Sequence, residues 1–286
     1  MKRNSASLLL LSWLKSRLEP SAYEWLLERH IQLSSGVSDK LLYEAFGQAL
    51  RHVGKSLMML DVSEQREAFE LHRGWDLGEW TRDQAARGAI LLSLPQGPRT
   101  VEVILSLFQT ADMGEHLALA RSLFLLPDAT ALLHIGREGV RSNMRNVFEA
   151  ISQRNPYPAE HFDDIAWNQM VVKCLFMGLP LRAIYDLDRR NNADLNRILI
   201  DLAHERRAAK RTLSPEVLRF IGPFANEDGM KVLCTALTGS LPERRGAALG
   251  LWSVPDGKGR GILASEAPEF ISVLENGTLN WENYDA

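Results

Sequence analysis

The sequence predicts an all-α protein, arranged as an irregular stacked-helix array of the HEAT-like α-solenoid kind. Nearly every segment with regularly spaced apolar residues follows the helical period, and strand-like alternation is almost absent. Helix start signals and proline stops recur along the 286 residues. So many short helices would not form a single four-helix bundle, which favours a stacked array.

The predicted helices follow one another with short connections. They span residues 7–18, 21–33, 38–53, 63–72, 81–94, 100–109, 114–125, 128–136, 143–153, 159–177, 193–211, 215–221, 227–238, 242–252 and 268–275. N-cap patterns begin at Ser38, Thr81 and Ser214. A proline follows four of the helix ends, at Pro95, Pro127, Pro180 and Pro255. The glycine-containing segment 255–262 is interpreted as a flexible surface turn, because it lacks phosphate-loop spacing.

Three helices resemble each other and indicate an internal repeat. They occupy residues 81–95, 114–127 and 242–255, and each ends in an apolar run closed by proline. The first two prolines are 32 residues apart and the last two are 128 apart, which is four such intervals. A period of this size is typical of stacked helix pairs.

Composition excludes several classes of protein. A formal charge of −3 gives no reason to expect nucleic acid as a partner. The two cysteines, Cys174 and Cys234, fit a reducing compartment, and no metal-ligand or cofactor motif is present. The apolar run at residues 8–11 is too short for a signal peptide, and no segment has the length of a membrane span. We therefore expect a cytoplasmic protein without a cofactor or a metal.

The segment from Phe162 to Gly178 is apolar on every side when it is plotted as a helix. A helix of this kind is typically central and buried. However, it contains Asn168, Gln169 and Lys173, whose burial is costly unless partners satisfy them. The helix is therefore either held by a structural polar network or forms the wall of a site, and a buried Lys173 should have a lowered pKa or a carboxylate partner.

The helix at residues 193–211 carries a second group of polar residues. Arg206 continues the apolar stripe of this helix one turn beyond Leu202. Asp201 and Glu205 form a carboxylate pair on its flank, with His204 beside them. One interpretation is a cluster that binds a polar ligand, since a guanidinium group can donate two hydrogen bonds to one carboxylate or phosphate. The other is that Arg206 extends to solvent at the helix end and the carboxylates are solvated.

The segment 185–192 also offers two interpretations. Its sequence YDLDRRNN is explained by a helix end followed by a capping turn. As ligands, Asp188 and Arg189 would offer both charge signs to a zwitterionic or polyhydroxylated metabolite.

Residues 141–224 contain several strings that together resemble the EboA family. These are RSN, FEAI, NPYP, WNQMVVK, LDRR, DLAHER and GPF, in that order. They lie within about a third of the chain, and residues 1–110 carry no such string. We accordingly expect an N-terminal helical region at 1–110, then an EboA-like core with C-terminal helices at 111–286, in one continuous array.

The resemblance implies a place in a bacterial ebo gene cluster, associated with making or moving a secondary metabolite. Such clusters also encode a prenyltransferase-like membrane protein, a TatD-like hydrolase, a sugar-isomerase-like protein and a dehydroquinate-synthase-like protein. The resemblance implies no reaction. Arg207 stands where family members tend to carry an aromatic residue, which argues against a stacking role at this position.

Two functional hypotheses follow. The first is a non-enzymatic binding or scaffold protein that holds a polar metabolite or a partner protein, including other ebo-cluster proteins such as the membrane prenyltransferase. Ten residues form the predicted ligand site: Asn143, Asn168, Gln169, Lys173, Asp188, Arg189, Asp201, His204, Glu205 and Arg206. The alternative is a pathway enzyme in which Asp201, His204 or Glu205 performs acid–base chemistry.

Overall fold

The computed structural model describes residues 2–36, 38–126 and 128–285, with side chains from residue 5 onward. The all-α prediction is confirmed, because these residues form helices and turns and no sheet. Within each of two compact units, the helices pack as a stacked array. The 32-residue period stays a prediction, and the stop expected at Pro127 lies outside the described residues.

The described residues form seventeen α-helices, joined by turns and short 3-10 segments. They are α1 Lys2–Lys15, α2 Pro20–Ser34, α3 Asp39–Val53, α4 Val62–Leu71, α5 Arg82–Ser93, α6 Pro98–Thr110, α7 Met113–Ser122, α8 Leu133–Arg141, α9 Arg145–Ser152, α10 Tyr157–His161, α11 Asp164–Met177, α12 Ala193–Ala208, α13 Val217–Ile221, α14 Glu227–Ala236, α15 Leu241–Trp252, α16 Lys258–Glu266 and α17 Ile271–Glu275. None of them is both long enough and apolar enough to cross a membrane.

The chain forms two compact units, Met1–Asp163 and Asp164–Ala286. The boundary expected at residue 110 was based on where strings resembling the EboA family occur in the sequence. Compact packing is a different criterion, so the boundary as a division into domains stays a prediction. Within the first unit, α5 is the central helix and contacts α1, α2, α3 and α7. Its residues from Asp83 to Leu92 are all buried. Small side chains at Ala85, Ala86 and Ala89 let neighbouring helices approach closely on several sides.

The second unit is built around α15, which packs against α13, α14 and α16. Close approach again depends on small residues. A Cβ atom at Gly250 would lie 2.8 Å from the carbonyl oxygen of Leu218, and one at Gly222 would lie 2.1 Å from that of Gly250. Contacts of this length exclude any side chain, so glycine at these positions sets the distance between α13 and α15.

Helix starts are predicted correctly in two of three cases. Ser38 caps α3 by accepting a hydrogen bond from the N–H of Leu41, and Thr81 forms a capping box with Gln84. The start expected at Ser214 is wrong, because α13 begins only at Val217. Just before that start, Glu216 is a buried carboxylate that accepts hydrogen bonds from the N–H groups of Leu181 and Arg182.

Two further expectations about elements are wrong. The helix expected over 159–177 is interrupted at Phe162, where the extended backbone turns that ring against Tyr157. The segment 255–262 is not a loop throughout, since α16 begins at Lys258. Gly259 lies within α16, and a Cβ atom there would be 2.0 Å from the carbonyl oxygen of Leu251. The glycine therefore permits close helix packing and does not signal flexibility.

Candidate functional site

The second unit contains an open cavity of about 560 Å³, where α11 and α12 meet the segment before α13 and the start of α15. Its apolar lining consists of Leu175, Leu202, Leu213, Pro215, Val217 and Pro242. Its polar lining consists of Arg206, Thr212, Ser214, Ser240 and Glu243. This volume lies within the range of small-molecule sites, and so does the mixture of apolar walls with a few polar groups.

Arg206 is the cation of this cavity. It lies one turn after Leu202 on α12, so both side chains face the same hollow, as the stripe in the sequence predicted. Its guanidinium lies 5.9 Å from the ring centre of Phe176, and Nη1 donates a 3.4 Å hydrogen bond to the carbonyl oxygen of Thr212. Among the described residues it forms no ion pair with a carboxylate. Most of its donors therefore remain available to a ligand.

Glu243 supplies the opposite charge, in a fixed position. It belongs to the capping box of α15, in which its Oε2 accepts hydrogen bonds of 2.7 Å from the N–H and 2.8 Å from the hydroxyl of Ser240. The cap holds this carboxylate at the start of the helix, where the macrodipole also favours a negative charge. Both Ser240 and Glu243 line the cavity.

The interpretation of α11 as a central helix buried on every side is wrong. Ile165 is 71% exposed and Phe176 is 61% exposed. A plot of apolar residues around a helix does not say which sides are covered, and α11 packs chiefly against α12 and the 3-10 turn at Leu181–Ala183. The helix nonetheless forms part of the cavity wall through Leu175, while Phe176 contacts Arg206.

Asn168 is buried, and its amide is used within the protein. It donates a 3.1 Å hydrogen bond to the amide oxygen of Asn192 and accepts one of 2.9 Å from the amide nitrogen of Asn192. The same Asn192 oxygen caps α12 by accepting from the N–H of Leu195. This reciprocal pair of hydrogen bonds connects α11 to the start of α12. For Asn168, it corresponds to the structural polar network, which was one of the two interpretations of this helix from the sequence.

The positions of Gln169 and Lys173 differ from the shared buried site that their spacing predicted. Gln169 is exposed, whereas Lys173 is half-buried and its pKa is lowered by desolvation, as expected for a lysine in this helix. Neither residue lines the Arg206 cavity, and neither does Asn168. The predicted convergence of these three residues with Arg206 around one hollow is therefore wrong. Asn168 lies on the same side of α11 as Leu175 but two turns earlier, where Asn192 engages its amide. Gln169 and Lys173 leave the helix on other sides.

The residues predicted in the segment 185–192 form ion pairs. Exposed Asp188 receives two 2.6 Å hydrogen bonds from Arg219, and Arg189 pairs with Asp186 three residues earlier. The capping-turn interpretation is confirmed by Asn192, which caps α12. A ligand would have to compete with these ion pairs.

The remaining predicted residues are on the surface. Asp201, His204 and Glu205 are exposed on α12, and none of them lines the cavity. Asn143 is exposed in the turn before α9, which belongs to the first unit. Of the ten predicted residues, Arg206 alone lines the cavity, and a ligand-binding role for any of them stays a prediction.

Neither metal binding nor thiol chemistry finds support in the part of the chain that is described. No three side chains of the His, Cys, Asp and Glu types come together there as ligands for a metal ion. Cys174 is buried and belongs to no disulfide, and burial raises the pKa of Cys234, which lowers its thiolate fraction.

Most of the cavity lining was not predicted from the sequence. Thr212 and Ser214 stand in a connection without regular structure, and Ser240 with Glu243 begins a helix some thirty residues later. The capping pattern from Ser240 to Glu243 is visible in the sequence. It predicts a helix start but not that the start lies beside the end of α12, because that depends on tertiary packing.

A family model described as metabolite traffic protein EboA matches residues 6–222. The chain belongs to the EboA family. The match begins within α1, so membership extends through the N-terminal helices, where the sequence offered no recognisable string. No curated protein and no solved structure matches the chain. Ser240, Pro242 and Glu243 complete the cavity, and they lie beyond the segment that the family model matches.

Proposed function

We propose that this chain is a non-enzymatic binding protein, which holds an anionic metabolite with an apolar portion in the Arg206 cavity. The observation that carries this proposal is the state of Arg206. Its guanidinium faces a cavity of about 560 Å³ and, among the described residues, makes only one long hydrogen bond, to Thr212. A guanidinium with available donors on an apolar wall suits a phosphate or a carboxylate.

The remaining lining supports an amphipathic ligand. Leu175, Leu202 and Val217 offer apolar contact, whereas the hydroxyl groups of Thr212 and Ser214 offer hydrogen bonds. The family's description as a metabolite traffic protein agrees with a role in handling a metabolite. A traffic protein has to bind and release its cargo unchanged, which an open cavity permits.

The acid–base alternative has less support. It depends on Asp201, His204 and Glu205, whose side chains are exposed and do not line the cavity. A general base has to lie within hydrogen-bond reach of its substrate, normally inside a cleft. Binding is therefore the function that the geometry supports best.

Calorimetry with hexyl phosphate tests the proposal, since this probe joins a short apolar chain to an anion. Arg206→Gln removes the charge, and we expect it to weaken binding by at least about tenfold, as for loss of a charge-assisted hydrogen bond. The matched control is Arg197→Gln, because Arg197 is exposed on the same helix and pairs with Asp194 at 4.0 Å. It should leave the affinity unchanged.

Circular dichroism of each variant should match that of the unaltered protein. Equal affinities of the two variants would contradict the role of Arg206. A protein that does not bind hexyl phosphate at millimolar concentration would contradict the proposal as a whole.

A further inference from the structure

A second, smaller cavity lies beside the first in the same unit. Its volume is about 200 Å³, and it shares Leu213, Pro215 and Glu243 with the Arg206 cavity. Its floor is apolar, and Arg207 and Arg211 line it. The segment from Leu213 to Pro215, together with Glu243, therefore separates two hollows that each contain arginine.

The turn that ends α12 brings the arginines together. The N–H of Arg211 donates to the carbonyl oxygen of Arg206 at 2.8 Å, and the N–H of Lys210 donates to that of Arg207 at 3.0 Å. These two bonds define a Schellman motif, with Lys210 in the left-handed position at a φ of 52°. The motif fixes the backbone that carries Arg206, Arg207 and Arg211.

Arg207 and Arg211 have no ion-pair partner among the residues that the structure describes. Their charges can compensate the negative end of the helix dipole, which would require neither cavity. However, Arg206 already lies in the last turn of α12, where its charge compensates the dipole, and Arg207 and Arg211 line a different hollow from it. The shared wall also carries Glu243, whose Oε2 is already engaged by Ser240. Anionic groups are thus favoured in both cavities and disfavoured at the wall between them.

We propose that the ligand carries two separated anionic groups, one at Arg206 and the other at Arg207 and Arg211. The apolar residues Leu213 and Pro215 lie between these positions, so the portion that joins the two groups is uncharged. This inference rests on the proposed function and narrows its ligand to a dianionic molecule with phosphate or carboxylate at both ends.

The test compares 1,6-hexanediol bisphosphate with hexyl phosphate by calorimetry at about 150 mM salt, where surface charges are largely screened. The unaltered protein should bind the bisphosphate at least about tenfold more tightly than the monophosphate, because the second group binds intramolecularly. Arg207→Gln combined with Arg211→Gln should remove this preference and leave the affinity for hexyl phosphate unchanged. Arg206→Gln should weaken both ligands.

A second variant separates a specific site from general positive charge. Thr235→Trp keeps all three arginines and fills the smaller cavity, which exposed Thr235 lines. It should abolish the preference for the bisphosphate as fully as the double arginine variant does. Arg197→Gln is again the control that should change neither affinity.

The outcomes distinguish this inference from the function on which it rests. Failure of the unaltered protein to bind hexyl phosphate would contradict the proposed function. Binding of hexyl phosphate with a bisphosphate preference of no more than about twofold, the value for two identical ends, would overturn this inference alone. A preference that survives in both variants of the smaller cavity would overturn it as well.

Discussion

Asp83 and Arg87 are the most deeply buried charged side chains among the described residues, at 3% and 2% exposure. They lie one turn apart on α5, with Arg87 Nη1 2.5 Å from Asp83 Oδ2. Each has a further partner, because Arg87 donates to the carbonyl oxygen of Phe46 at 2.9 Å and Asp83 accepts from the hydroxyl of Thr81 at 2.6 Å. A buried ion pair is tolerated when further hydrogen bonds of this kind satisfy the remaining donors and acceptors of both side chains.

Removing one member of this pair should be costly. Asp83→Ala leaves the guanidinium of Arg87 buried without its counter-charge, and we expect a loss of about 3–5 kcal/mol in the free energy of unfolding. Urea denaturation measures this loss. Glu102→Ala is the control, since Glu102 pairs with Arg99 at 3.3 Å on the surface and should cost less than about 1 kcal/mol. A loss of similar size in both variants would show that the pair at α5 is no more important than a solvated one.

At the scale of single residues, the sequence predicts what depends on its own helix. The stripe from Leu202 to Arg206 and the lowered pKa of Lys173 both follow from local spacing. The partner of Asn168 does not, because Asn192 is 24 residues away in the sequence. The burial of Arg87 was missed for the same reason, since its acceptor on Phe46 is 41 residues away.

At the scale of elements, side-chain size and not apolarity decides which helix is central. α11 is apolar all round, but it carries bulky Ile165 and Phe176 that project into solvent. α5 contains a glycine and several alanines, and a Cβ atom at Gly88 would lie 3.1 Å from the hydroxyl of Ser122. The helical pattern in the sequence thus predicts that α5 and α11 form. The small residues that let neighbouring backbones approach closely identify α5 as a central helix.

Two glycines of α16 test this argument within one helix. Gly259→Ala would put a methyl group 2.0 Å from the carbonyl oxygen of Leu251, whereas Gly261 has nothing within 4 Å of the same position. Because backbone cannot yield as a side chain does, we expect Gly259→Ala to cost about 1–3 kcal/mol or more. Gly261→Ala should instead stabilise by about 0.5–1 kcal/mol through its helix propensity.

Thermal unfolding of the two alanine variants measures this contrast. A Gly259→Ala protein that is as stable as the Gly261→Ala protein would mean that α16 is not packed closely against α15. The segment would then be the flexible turn that its glycines first indicated.

At the scale of the whole molecule, residues beyond the family match take part in the second unit. Tyr284 is buried near the end of the chain, and Asp285 forms a 2.9 Å ion pair with Arg182. The cavity itself is completed by Ser240 and Glu243. Family membership therefore establishes relatedness over residues 6–222, but the site depends on later helices whose position no local pattern predicts.

The dependence of stability on pH is the other property of the whole chain, because it sums over all groups whose pKa changes on folding. Burial lowers the pKa of His30, whose Nε2 lies 2.8 Å from the hydroxyl of Ser7. Burial also lowers the pKa of His161, where nearby His72 acts in the same direction and Glu160 opposes it. In the folded chain both histidines therefore resist protonation.

Stability should consequently fall on mild acidification. Above the ordinary value of 6.5 both histidines are neutral in the folded and the unfolded chain, so they contribute no pH dependence. As the pH falls below 6.5, these histidines bind protons in the unfolded chain but not yet in the folded chain. Stability is therefore lost until the pH reaches the lowered pKa values of the two histidines in the folded chain. At one pH unit below 6.5, each histidine can contribute a loss of at most about 1.4 kcal/mol.

Urea denaturation at about pH 7.5 and pH 5.5 measures this loss, and the window avoids most carboxylate titration. The variant that combines His30→Gln with His161→Gln should show a smaller difference between the two pH values. His204→Gln is the control, because His204 is exposed and its replacement should leave the difference unchanged. If the double variant keeps the full pH dependence, the protons are bound elsewhere, and burial of these two rings does not govern the acid sensitivity of the fold.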